Sequence, residues 1–193
     1  MSSVTFMQIF SPYLSAGAVS AAVAEAGVED MRIDKSRGRL TARLDFNTFV
    51  DIQALEAAET AVSQGLAACM PLSAVEFAPS YPPECLTPDS FDTVAALLSR
   101  RHHAINGTLR DAGCRIEGDA VILTLAHGGL DILQATKADT LLVQLIKELF
   151  GRVVSIVFDG VTDMSSDNEE YRQMMEEADR EAAKRAQERA AAL

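Results

Sequence analysis

The sequence predicts an α+β protein made of two tandem modules of order αββαβ. Each is a small mixed three-stranded sheet with helices on one face, and a charged C-terminal helix follows them. Three observations predict this. The apolar period switches between two and about 3.6 residues in the same order in both halves. Four of the six prolines fall in one stretch, 79–90. Beyond Ser165 large apolar side chains become sparse while charges of both signs accumulate. The resulting division is a first module at 1–78, a proline-rich linker at 79–90, a second module at 91–162 and a charged helical linker at 163–193, with a further domain expected downstream.

Taken in order, residues 12–26 read as an alanine-rich helix stopped by Gly27. Residues 28–35 carry Met31 and Ile33 at alternate positions, a strand pattern, and Ser36-Arg37-Gly38 is a turn. Leu40, Ala42, Leu44 and Phe46 alternate with Thr41, Arg43 and Asp45, which predicts a half-buried strand over 39–46. From Asp51 the period lengthens. Ile52, Leu55, Ala58, Val62, Leu66 and Cys69 share one helical face, on which Cys69 reads as a small core residue. Pro71 stops that helix, and 72–77 is the last strand of the first half. Residues 79–90 read as an extended connector that exposes the Cys85 thiol, with Asp89 or Ser90 capping the next helix.

That helix is expected over 90–112, with Phe91, Val94, Leu98, His102, Ile105, Leu109 and Ala112 on its apolar face. A hairpin follows: strand 114–117, a turn at Glu117-Gly118-Asp119, and a strand carrying Val121, Leu123 and Leu125. A helical stretch over 129–150 should break near 136–139, with Asp139 capping its second piece, and bury Leu142, Leu145, Ile146 and Leu149. Gly151 ends it, and 153–158 is the closing strand. The halves also match in residues. Met31-Arg32-Ile33-Asp34 parallels Cys114-Arg115-Ile116-Glu117, the strand from Leu40 parallels that from Val121, and Val75-Glu76-Phe77 parallels Ile156-Val157-Phe158. In each half the hairpin gives an antiparallel pair and the helix returns the third strand as a parallel crossover. Ordering a module this small offsets most of what its apolar burial supplies, so each is expected to be marginal alone and to pack on the other.

Composition narrows the function. The chain has 193 residues, 48% apolar and 23% charged, with a formal net charge of −11. The acid is not evenly spread, residues 165–193 holding −3 and the first 164 holding −8, and neither part is basic in the way that binding to phosphate backbones requires. The sequence has no apolar run of ~18 residues and no basic N-terminal region before an apolar core, so it reads as cytoplasmic, without a membrane span or signal peptide. Three irregularly spaced cysteines, Cys69, Cys85 and Cys114, argue against a disulfide framework and a cysteine zinc site. His127 stands alone before Gly128-Gly129, with no converging ligands. No phosphate-binding loop, dinucleotide fingerprint or hydrolase motif is present. The carboxylate pairs Glu29-Asp30, Glu169-Glu170 and Glu176-Glu177 occupy turn-like or solvated helical settings rather than a desolvated pocket. The reading is a chain with no catalytic residue, metal site or cofactor of its own. Its distinctive polar feature is Arg100-Arg101-His102-His103. On a helix, Arg100, His103 and Arg110 share a polar face suited to an acidic partner or a phosphate, and Lys137 is a fourth candidate contact.

The αββαβ order resembles the type II KH fold, which clamps single-stranded nucleic acid through a GxxG loop between two helices. The corresponding stretches here, Ala57-Ala58-Glu59-Thr60 and Ala135-Thr136-Lys137-Ala138, have no glycine. A KH-like scaffold without its clamp points to a protein-binding surface. A closer likeness lies in 104–160: Ala104-Ile105 with Leu109, Ile116-Glu117-Gly118, Val121 to Leu125, Leu142, Ile146, Leu149-Phe150-Gly151, and Val153 with Ile156-Val157-Phe158. On these residues the chain resembles the N-terminal region of the PolC-type bacterial DNA polymerase III alpha subunit. The resemblance implies a non-catalytic docking element of the replisome, with the tau subunit of the clamp loader as its partner. DNA would be met only through the parent enzyme, whose polymerase and 3′–5′ exonuclease activities would lie outside this chain. Two readings compete with it: a KH-like single-strand binder, disfavoured by the acidity and the missing glycines, and a small stand-alone enzyme, disfavoured by the missing motifs.

Overall fold

The computed structural model describes residues 4–70, 72–105, 107–125 and 129–161. They form two mixed sheets, of four and three strands, and six α-helices. The expected charged helix at 163–193 lies outside the described residues, as does His127.

The first sheet has the order β1-β2-β3-β4: β1 (Val4–Thr5), β2 (Gly27–Asp34), β3 (Arg39–Asp45) and β4 (Ala74–Ser80). β2 and β3 form the expected antiparallel hairpin, and β4 returns parallel to β3. Two expectations change here. A fourth strand, β1, pairs antiparallel with the start of β2, where three strands were expected. The single helix over 12–26 is instead α1 (Phe6–Phe10), a 3-10 turn (Ser11–Tyr13) and α2 (Ala21–Glu25). Pro12 tightens the chain into the 3-10 turn, and Gly17 at φ +76° takes it out of helical geometry. Phe6 and Phe10, one helical turn apart, are both buried and meet Phe77 of β4. α3 (Ile52–Leu66) starts where Asp51 caps the Ala54 N–H at 2.7 Å, and it buries Leu55, Ala58, Val62 and Leu66. The helix ends at Leu66, so Cys69 falls in the turn beyond it and is exposed rather than in the core.

Residues 79–90 are not one extended connector. β4 runs through Ser80, and 3-10 turns then form at Pro83–Cys85 and Pro88–Ser90. Tyr81 and Leu86 are buried, and Cys85 is half-buried rather than exposed. The Ser90 hydroxyl accepts from the Thr87 N–H at 3.0 Å, closing the turn that leads into α4 (Phe91–Arg101). α4 ends well before residue 112. His102 leaves helical geometry, His103–Ile105 is a 3-10 turn, and Gly107 and Asp111 both have positive φ. Ile105 and Leu109 are nevertheless buried, as their spacing predicted.

The second sheet has the order β5 (Gly113–Glu117), β6 (Ala120–Leu125), β7 (Ser155–Val161). It is antiparallel and then parallel, like β2-β3-β4. α5 (Leu130–Ala135) and α6 (Ala138–Phe150) are separated at the expected break, where Lys137 adopts φ +53°. The residues matched in the sequence repeat hold equivalent places. Ile33 pairs with Leu40 and Leu40 with Val75; Ile116 pairs with Val121 and Val121 with Ile156. The buried residues of both halves form one continuous cluster.

Candidate functional site

Three of the four candidate residues, Arg100, His103 and Arg110, gather where α4 crosses α3. The apolar face of α4 buries Phe91, Val94, Leu97 and Leu98, which turns Arg100 toward α3 and β4. The buried Thr93 hydroxyl accepts from the Ile52 N–H at 3.1 Å and so caps the start of α3 from the other half of the chain. Two turns on, the Arg100 guanidinium donates to Glu59 at 3.1 Å and to Glu56 at 2.9 Å. Glu59 also accepts the Phe77 N–H at 2.9 Å, so one carboxylate ties α3, β4 and α4 together. Burial raises the Glu59 carboxyl above its ordinary value, against the lowering pull of the Phe77 N–H and Arg100. Arg101, on the neighbouring face of α4, donates to Glu148 of α6 at 2.6 Å.

Arg100, His103 and Arg110 do come together. They line one open groove of about 550 Å³ with Glu56, Asp92 and Asp111. Its charge is mixed: Arg100 is held by the α3 glutamates, and Arg110 lies 3.9 Å from Asp111. Arg100 and His103 also line a second groove of about 550 Å³, against β4 and Arg39. Lys137 stands apart at the α5–α6 break, in a groove with Gln134, Asp139 and Phe158.

Sequence reasoning missed Glu56 and Glu59, the acids that receive Arg100. It also missed Tyr81, which is 3% exposed and joins the halves. The Tyr81 hydroxyl donates to the Val50 carbonyl and its N–H to the Leu149 carbonyl, both at 2.7 Å. Its ring stacks between Phe46 and Phe150 at 5.5 and 5.4 Å. A lone aromatic inside a proline-rich stretch was the available signal. Among the described residues no three His, Cys, Asp or Glu side chains gather to hold a metal ion, and no helix is long and apolar enough to cross a membrane. The arrangement offers open grooves walled by arginines and carboxylates that largely pair with one another.

A family model described as DNA polymerase III polC-type N-terminus II matches residues 89–193, more than half of the chain. A solved structure, "Structure of the PrgH periplasmic domain", is similar at 15% identity and a TM-score of 0.23, over 82% of this chain and 66% of that one. A search of curated proteins gives no match.

Proposed function

We propose, from the premise that the chain belongs to the DNA polymerase III polC-type N-terminus II family, that it is the non-catalytic N-terminal docking region of a replicative DNA polymerase. The family match over 89–193 carries this reading. The proposal takes each half as a KH-like unit, supported by the shared strand order and register of β2-β3-β4 and β5-β6-β7. Where a nucleic-acid-clamping KH unit needs glycines, this chain has Ala135-Thr136-Lys137-Ala138, which lacks the glycines that let a phosphate backbone approach closely. The partner is a protein of the replisome, the tau clamp-loader subunit by the resemblance, and the setting is the cytoplasm. Polymerase and exonuclease chemistry belong to the parent enzyme outside residues 1–193. Arg100, His103, Arg110 and Lys137 remain the proposed contacts, with Arg100 first having to leave its glutamates.

The test is calorimetric titration of residues 1–193 with the tau subunit, beside a shift assay with single-stranded DNA over a salt series. Saturable binding to tau is expected. Tight DNA binding that weakens steeply with salt, without tau binding, would overturn the docking reading in favour of the KH-like single-strand binder.

A further inference from the structure

The two sheets treat their first hairpin strand differently. In the second sheet the core-side residues of β5, Cys114 and Ile116, are packed against the core, and β5 touches the 3-10 turn Pro88–Ser90. The equivalent residues of β2, Met31 and Ile33, are each 40% exposed. Their cross-strand neighbours in β3, Ala42 and Leu40, are buried, so the bare strip continues the core face of the sheet. Beyond β2, β1 pairs only with Gly27 and Val28. Among the described residues, nothing pairs with the far side of residues 30–34. This stretch is an open strand edge whose outward backbone donors and acceptors have no strand partner among the described residues.

The side chains along that edge alternate: Asp30, Arg32 and Asp34 on the outer face, Met31 and Ile33 on the core face. Arg32 is 81% and Asp30 54% exposed, and the 2.9 Å pair between them is a surface contact that a ligand can replace at little cost. A strand laid against this edge in line with β1 meets acid, base, acid on one face and two apolar residues on the other. Of the two acids, Asp34 already accepts from the Ser36 N–H and hydroxyl and the Arg37 N–H through one oxygen, and offers its second oxygen 3.8 Å from Arg37. Its complement carries base, acid, base at alternate positions, with apolar residues between. The pattern is symmetric, so either strand direction satisfies it.

We infer that residues 30–34 of β2 are a strand-addition site for an extended segment of a partner protein with the alternation Lys/Arg, apolar, Asp/Glu, apolar, Lys/Arg. The inference rests on the docking reading and adds to its contacts at α4 and the α5–α6 break a further face, with its partner's chemistry. Backbone hydrogen bonds hold such a segment, and the alternating side chains select it.

The probe is a short peptide with the core Lys-Val-Glu-Val-Lys, titrated into residues 1–193 by amide NMR. Expected are shifts centred on the amides of 30–34, and binding about tenfold weaker for Arg32→Glu, which sets acid against the central glutamate. The peptide Lys-Val-Lys-Val-Lys should then bind Arg32→Glu better than it binds the natural chain. Ile33→Lys, at an exposed position, is the second variant and should also weaken binding. No shift in 30–34, or binding indifferent to both substitutions, overturns the assignment, as does self-association seen by sedimentation that Ile33→Lys abolishes, which would give the edge to a second copy. The docking reading fails separately. If the tau subunit binds Arg32→Glu and Ile33→Lys as tightly as the natural chain, docking stands and this edge is excluded. If the peptide binds as expected and tau does not bind, the edge stands and the tau assignment falls.

Discussion

Replacing Tyr81 should weaken both halves of the chain together, because its contacts belong to both. Tyr81→Phe keeps the ring between Phe46 and Phe150 but removes the 2.7 Å hydroxyl bond and leaves the Val50 carbonyl unpaired in a buried place. One lost bond with an orphaned buried acceptor costs about 1–2 kcal/mol. Tyr81→Ala also removes an aromatic ring that is 3% exposed and lies 5.4 Å from Phe49 as well. Emptying such a site costs about 3–5 kcal/mol, a large part of the ~5–15 kcal/mol that holds a domain folded. Urea titration followed by circular dichroism should show one transition whose midpoint falls with little change of slope, roughly twice as far or more for Ala as for Phe. Hydrogen exchange should show amides of β3 and of α6 losing protection together. A loss under about 1 kcal/mol for Tyr81→Ala, or exchange that rises in only one half, would refute the reasoning.

Three further outcomes follow from named contacts. Glu59 holds its proton more tightly folded than unfolded because burial raises its carboxyl; folding therefore takes up a proton, and the urea midpoint of the natural chain relative to Glu59→Gln should fall as pH rises through and above the ordinary carboxylate value. Gly65→Ala, which in an exposed helix gains about 1 kcal/mol, should instead destabilise, because the new Cβ would meet the Tyr13 carbonyl oxygen of the 3-10 turn; thermal melting checks the sign. Iodoacetamide at mildly alkaline pH should label exposed Cys69 well before Cys114, whose thiol is pushed up to about 11 chiefly by burial with a contribution from Asp92; peptide mass spectrometry over time reads the order.

What was legible in the sequence was local. The β2–β3 and β5–β6 hairpins carry alternating side chains and glycine turns, and the break between α5 and α6 lies where a helical pattern lost its apolar stripe. Alanine misled the first helix, since it fits any face and any period; the spacing of Phe6 and Phe10 was the better signal. Over 102–112 the burial of Ile105 and Leu109 was right and the helix wrong, because a 3-10 turn followed by tight turns also returns side chains to one side every three or four residues. The partners of Arg100 lay beyond local reading. Glu59 and Glu56 are 41 and 44 residues away, and no spacing rule joins them.

The charge pattern gains a different meaning once those partners are known. Arg32, Arg37, Arg39, Arg43, Arg100, Arg101, Arg110, Arg115 and Arg152 each lie within 2.6 to 4.0 Å of a carboxylate of the same chain. Most of these are exposed pairs worth roughly 0–1 kcal/mol, so their main effect is on the surface potential, where each arginine is neutralised locally. With 28 acidic and 17 basic side chains in all, the charge left unbalanced is acid. A phosphate backbone meets repulsion over most of such a surface, whereas a protein segment with basic residues flanking an acid exchanges its own charges for the weak, exposed Arg32–Asp30 pair. The pairing that weakens the case for nucleic acid at α4 is present at β2 as well, but there it is one exposed contact that a partner segment can exchange without requiring Arg100 to break the contacts that hold the two halves together.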